Sequence, residues 1–342
     1  MELQILWFVL WGVLWAVYFM LDGFDFGAAM LRVFISRDET DRASVLSAIG
    51  PMWNGNEVWL ITAGGATFAA FPVTYASMFS FLYLPMLLIL FSLIARGAAM
   101  EFRGKHDSTR WRETWDWILA VSSFTAPLVL GVGFGNIFRG LPIAADGYKG
   151  SFWMLFNPYG LLTALLFVAL FLQHGALWIT LKTDGDLSAR ARGAAGGLWY
   201  AVLVIAAGFL ILSALSTHLA DNYLSHPGWL FIPILALAAL AAVKVLHAQG
   251  RQLGSFLCSC ALIVLVVATG LTGLFPNMIP SSLDPSASLT IFNSSSGPYT
   301  LRVMTIVAVI FVPIVIAYQL LVYRFFKARI TRKEAAQETE GY

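Results

Sequence analysis

The stretch Asp22-Gly23-Phe24-Asp25-Phe26-Gly27 sits inside an apolar run from about Ile5 to Val33. Such a run is long enough to cross a bilayer, which needs about 20 apolar residues. On a helix the two aspartates, three positions apart, share one face. A carboxylate at the bilayer centre costs roughly 2.5–3.5 kcal/mol on insertion scales. No Lys or Arg lies between Met1 and Leu31 to offset that cost. The two acids therefore face other helices of a bundle or line a wet path.

The composition agrees with a membrane reading. Of 342 residues, 59% are hydrophobic and only 12% are charged, against about 25% charged in soluble domains. Mean hydropathy is +0.76. The chain is expected to be an all-α polytopic membrane protein in one integral domain over 1–342. A net charge of +2 gives no reason to expect nucleic acid as a partner. The first run is too long for a signal-peptide core and lacks a basic leader, so a retained helix is expected. Cys258 and Cys260 fall on different faces of a helix, which argues against a disulfide or a metal pair.

Nine transmembrane helices are expected, at about 5–33, 52–72, 75–98, 115–137, 157–181, 194–217, 228–246, 253–275 and 302–325. Of the 21 Lys and Arg, all but Arg139, Lys149 and Arg302 then fall at or near one side. Basic loops stay in the cytoplasm, so the N-terminus is expected outside and the C-terminus inside. The 37–42 loop reads as a solvated charge cluster, and the tail from Lys327 as a fraying end. Pro85, Pro127 and Pro313 lie inside spans and are candidates for kinks. The basic 103–112 loop reads first as a topology anchor, with contact to anionic lipid or a partner as the other reading. The series Gly131, Gly133, Gly135 follows no strand, so it reads as close helix packing and not as a nucleotide fingerprint.

Span 2 opens Trp53-Asn54-Gly55-Asn56-Glu57-Val58-Trp59 and continues through the small residues Gly64 and Gly65. Lipid does not tolerate the polar part, and small residues let helices approach closely. At 1.5 Å rise per residue, Asp25 and Glu57 lie roughly 12 and 9 Å from the inner face. Asp22 sits one turn deeper. Asn54 and Asn56 add groups that hold water. Two readings stand side by side: a short proton relay open to the cytoplasm, or acids that bridge helices, with Asp25 as a bonding partner of Asp22. His174 reads as a packing residue sooner than an iron ligand. No metal site, haem-attachment motif or nucleotide loop is present in the sequence. A stand-alone secondary transporter would need two matching halves with broken helices, and none is visible.

The motif Trp53-Asn54-Gly55-Asn56-Glu57-Val58-Trp59-Leu60, followed by Phe68-Ala69-Ala70-Phe71-Pro72, resembles subunit II of the cytochrome bd quinol oxidases. The resemblance extends to Asp22–Gly27, to Arg110-Trp111-Arg112 with Trp115-Asp116-Trp117, to Gly133–Asn136, to Phe275-Pro276 with Pro280-Ser281-Ser282, and to Leu301–Met304. It implies two four-helix bundles plus one peripheral helix. It implies a partner, subunit I, which carries haem b and haem d, while this chain is haem-free. It implies oxidation of quinol and reduction of dioxygen to water with protons from the cytoplasm, in the inner (plasma) membrane of a prokaryote. A structural quinone and a small accessory subunit accompany some members. Glu57, Asp25, Asp22, Asn54 and Asn56 are then the proton-path candidates, and Trp53, Trp59, Gly64 and Gly65 the subunit-interface candidates. Some members carry Asp where this chain has Asn54, which cannot ionise; Glu57, one turn on, is the substitute.

Overall fold

A computed structural model describes residues 1–335. In chain order its helices are α1 Glu2–Ile35, α2 Glu39–Ile49, α3 Trp53–Ala70, α4 Pro72–Phe81, α5 Tyr83–Phe102 and α6 Thr109–Arg139. They continue as α7 Pro158–Lys182, α8 Gly185–Ser216, α9 Leu219–Ser225, α10 Phe231–Ala248, α11 Gln252–Leu274 and α12 Pro298–Phe325. Among the described residues, eight helices are long and apolar enough to cross a membrane. A ninth crossing counts if α3 and α4, bent by 120°, form one span.

The bend corrects the expected second and third spans. The second ends at Ala70, and residues 72–81 form a separate short helix where the third was expected to begin. Pro72 is the cause. It lacks a backbone N–H and disfavours helical geometry at the residue before it, and Phe71 takes φ −133°, ψ 63°. The carbonyls left open at the end of α3 are capped from far along the chain. The Ser296 amide donates to Ala70 O at 2.8 Å, and its hydroxyl donates to Ala69 O at 2.7 Å. The 276–301 loop is thereby folded back onto the helices. The other prolines cause no break: α6 and α12 continue through Pro127 and Pro313, and Pro85 lies in the first turn of α5.

Helix α1 is the hub, packed against α3, α6, α7 and α11. It approaches α7 until the backbones touch. A Cβ on Gly27 would lie 1.8 Å from Phe171 O, and one on Gly175 would lie 2.2 Å from Ala28 N. Rings extend the packing, with Phe19 on Phe167 of α7 at 4.9 Å and Trp15 on Phe134 of α6 at 5.0 Å. The expected packing role of the α6 glycines holds at two positions. A Cβ on Gly131 would meet Ala164 Cα at 2.5 Å, and one on Gly135 would meet Thr163 Oγ1 at 2.7 Å. Gly133 faces open space.

At the basic end the 37–42 segment is not a solvated cluster. It leads into α2, capped by Asp38, whose carboxylate accepts the Asp41 amide at 2.9 Å. The buried Asp116 carboxylate accepts from Arg32, from Arg103 at 2.5 Å and from Arg42 at 3.1 Å. Arg190 and Arg332 both reach Asp41. The tail does not fray where it is described. The Ile330 amide donates to Lys182 O at 2.7 Å, Lys182 Nζ donates to Ala328 O at 2.7 Å, and Arg332 pairs with Asp38. Residues 336–342 of that tail lie outside the described residues.

Two outcomes follow from this packing. Gly27→Ala drives a methyl group into the α7 backbone and is expected to cost about 3 kcal/mol, whereas Gly133→Ala, which meets open space and gains helix propensity, should not lower the melting temperature of the purified protein. For the tail, the Asp41 amide and then Arg332 hold the Asp38 carboxyl below the usual carboxylate range. A depressed carboxylate stabilises the fold above its unfolded value and stops doing so as pH falls through its folded one. Protection of the Ile330 amide from hydrogen exchange should therefore persist from pH 7 down through the ordinary carboxylate range and be lost below it.

Candidate functional site

Helix α1 carries Tyr18, Asp22 and Asp25 at intervals of four and three, so they line one stripe. Asp22 is 0% exposed and Asp25 1%. The stripe faces α3 and α5, and there it meets a cation. Arg96 Nη2 donates to Asp22 Oδ1 at 2.7 Å and to Glu57 Oε2 at 2.9 Å. Arg96 is itself only 1% exposed. Its guanidinium lies 4.1 Å over the Phe26 ring and 5.9 Å from that of Trp53. Glu57 is the one partly open member of the trio, with 22% of its side chain accessible.

Asp25 does not bond Asp22, as the helix-bridging reading had allowed. Its partner is Asn56, whose Nδ2 donates to Asp25 Oδ2 at 2.7 Å and to Leu21 O at 3.3 Å. Asn56 Oδ1 accepts from Gln319 Nε2 at 3.1 Å and from the Tyr323 hydroxyl at 2.9 Å. Helix α12 is thus tied to the acid cluster through one carboxamide. The cluster holds three carboxyl groups against one guanidinium. Asp25 Oδ1, Arg96 Nε and Arg96 Nη1 have no partner among the described residues, and the Tyr18 hydroxyl lies against Asp22. Buried polar atoms of this kind are ordinarily met by ordered water.

The cluster lies below a second polar level. Asp25 precedes Arg32 by seven residues on α1, and Arg96 precedes Arg103, the residue just past the end of α5, by seven. Each interval is about 10 Å of helix. The Arg32–Asp116–Arg103 contacts thus mark the basic end, and the acids lie one step inward from it.

The remaining candidates divide. Asn54 is exposed, one turn before Glu57, and among the described residues no hydrogen bond joins it to the buried acids. Gly65 is exposed and Gly64 half-buried, and a Cβ at either would meet open space. With Asn54, Val58, Ile61 and Phe68, Gly65 completes an exposed strip along α3. Trp59 does not belong to that strip. It is buried, and its indole N–H donates to Gln319 Oε1 at 2.7 Å, so it faces α12 within this chain. Trp53 is half-buried beside Arg96. His174 has both ring nitrogens engaged, Nδ1 with Ser259 Oγ at 2.8 Å and Nε2 with Met20 O at 3.0 Å. It also stacks on Phe256 at 4.7 Å.

Reading the sequence missed Arg96, Gln319 and Tyr323. In the sequence, Arg96 reads only as one of the basic residues near the inner face. The available signal was its setting, a single cation inside the apolar run of α5 with Ala95, Gly97, Ala98 and Ala99 around it. Arg96→Gln should strand two carboxylates and cost roughly 3–5 kcal/mol. Pairing it with Asp22→Asn should restore most of the loss, measured as yield and melting temperature of the purified protein.

The chain is similar to known proteins over its whole length. The family model for cytochrome bd terminal oxidase subunit II matches residues 3–326. The Bacillus subtilis cytochrome bd ubiquinol oxidase subunit 2 is 40% identical over 338 residues, 97% of this chain and 98% of that protein. The Escherichia coli K12 cytochrome bd-I ubiquinol oxidase subunit 2 is 36% identical over 373 residues, 99% of this chain and 98% of that one. A chain in the structure of bd oxidase from Geobacillus thermodenitrificans superposes with a TM-score of 0.79 at 17% identity, covering 95% of this chain and 99% of that one. That last likeness is one of fold.

Proposed function

The chain belongs to the cytochrome bd terminal oxidase subunit II family, and from that premise we propose that it works as the second subunit of a quinol oxidase that reduces dioxygen to water. Haem b and haem d sit in subunit I and supply the oxygen chemistry there. This chain's residues support a haem-free role: the buried His174 has both ring nitrogens occupied. The complex lies in the plasma (inner) membrane of a bacterium, with the basic end in the cytoplasm. The arrangement in two four-helix bundles plus one peripheral helix is part of this reading, and the near-complete exposure of α12 fits the peripheral place. A structural quinone and a small accessory subunit remain part of this reading without assigned residues.

The specific role we propose is to hold protons on the cytoplasmic side for the partner. The observation that carries it is the graded exposure of the acids. Glu57 is partly open, Asp22 and Asp25 are buried behind it, and one guanidinium spans the step between them. A carboxyl group is a proton carrier, and a series of them within hydrogen-bond or water reach conducts. Glu57 is the entry. Arg96 fixes its carboxylate beside Asp22, and the unpartnered oxygen on Asp25 is the point where water continues the chain. The exposed α3 strip, with Asn54 beside Glu57 and Gly65 without a side chain, is the surface offered to subunit I.

A second reading, a scaffold whose acids only hold helices together, draws on the same ion pairs. Quinol oxidase turnover per haem separates them. Glu57→Gln in assembled complex with normal haem content is expected to lower turnover about a hundredfold, the low end of the share of a positioned proton-transfer group. Asp22→Asn that lowers yield while Glu57→Gln leaves turnover untouched would establish the scaffold instead.

A further inference from the structure

We propose that the cleft where α5 gives way to α6 binds the phosphate of an anionic glycerophospholipid. The cleft is open to one side and holds about 510 Å³. Its wall includes His106, Ser108, Arg110, Trp111, Trp115 and Ile118. These residues follow α6 inward from the basic end, so the lining changes with depth. Cationic and hydroxyl groups come first, then two indoles, then an aliphatic floor. Ile118 lies eight residues beyond Arg110, about 12 Å further along the helix. A free anion has no use for such a gradient, whereas a lipid matches it, with headgroup at Arg110 and glycerol and acyl carbons against Trp115 and Ile118. Trp111 and Trp115 meet edge to face at 5.6 Å, as amphipathic rings at the headgroup level do. Beyond the cleft, Trp117, Val121 and Phe124 expose apolar surface along the same helix.

The charges are apportioned to suit an external anion. Arg103 is committed to Asp116 and Glu39, and Arg112 to Asp107 and Glu39. Arg110, in the cleft wall, and Lys105, next to His106 in the chain but not itself in the wall, have no carboxylate partner among the described residues. The nearby Glu101 and Glu113 do not line the cleft. His106 is oriented as a donor. Its Nδ1 accepts the Ser108 amide at 3.0 Å, which in a neutral ring places the proton on Nε2. A phosphodiester accepts from both a guanidinium and an imidazole N–H.

The test uses the purified oxidase complex, reconstituted in nanodiscs of phosphatidylcholine with a minority of phosphatidylglycerol. After extraction in mild detergent, the lipid retained per complex is counted by mass spectrometry. Wild type should retain phosphatidylglycerol preferentially. Arg110→Gln with Lys105→Gln should reduce that preference about fivefold per charge removed. Arg110→Lys, which keeps charge and packing, should preserve most of it, and Arg139→Gln, at the far end of α6, should change nothing. Inorganic phosphate at millimolar concentration should displace none of the lipid. Equal retention by wild type and the double variant would overturn the proposal. So would displacement by inorganic phosphate, which would mark a simple anion site, or loss of the haem-bearing partner from the double variant, which would mark a protein interface.

Discussion

Arg96 donates from α5 to carboxylates on α1 and α3 in a place almost closed to solvent. A buried ion pair adds little net stability over apolar packing, because desolvation consumes most of the Coulomb gain. Its force is conditional. Once the three helices carry these charges, none can move without leaving an uncompensated charge in a low-dielectric medium. The aromatic faces of Phe26 and Trp53 beside the guanidinium add the attraction of their ring quadrupoles. Helix α12, which is otherwise exposed along its length, joins the same assembly through Asn56, Gln319 and Tyr323.

The fold brings such a site into being by separating two kinds of contact. Toward the basic end of α1, Gly27 and the α7 residue Gly175 let two helix backbones touch, with no polar side chain involved. On another face of the same helix, Asp22 and Asp25 look toward α3 and α5. Lipid offers no hydrophobic drive for helix association, so close packing and polar contacts must supply it. Here they act on different faces of one hub helix. At the basic end, Asp116 and Asp41 gather arginines from α1, α2, the turn after α5, α8 and the tail. That network closes the loops over the helix ends, while Asp25, one level inward, keeps an unpartnered oxygen.

The course of the chain near Phe71 shows where pattern reading stops. Pro72 was visible, and a proline forecasts a helix start, yet hydropathy ran on across it and suggested a span that ended later. Pro72 makes the break, and the amide and hydroxyl of the distant Ser296 donate to the carbonyls that it leaves open. Trp59 is a similar case. Its place within a polar, aromatic motif suggested an outward surface, and its indole instead found Gln319, 260 positions away. The tail beyond Lys327 looked like a charged end in water, because nothing local reveals that Asp38, Asp41 and Lys182 are waiting for it.

The amino-acid sequence by itself determined that the chain spans a membrane repeatedly, which end is basic, that Asp22 and Asp25 share a helix face, and that Glu57 lies at a similar depth. Its motifs also carried the family. These are properties of composition, period and rise, and they are local to each helix. Only the tertiary structure decided which helix that face meets. Arg96 is 74 positions from Asp22, and Gln319 is 263 from Asn56. Period specifies a side chain's direction around its own axis, but not how the axes of separate helices are set against one another. That setting follows from glycine contacts, ring packing and the need to pair buried charge, which act between helices together and leave no mark on any single stretch of chain.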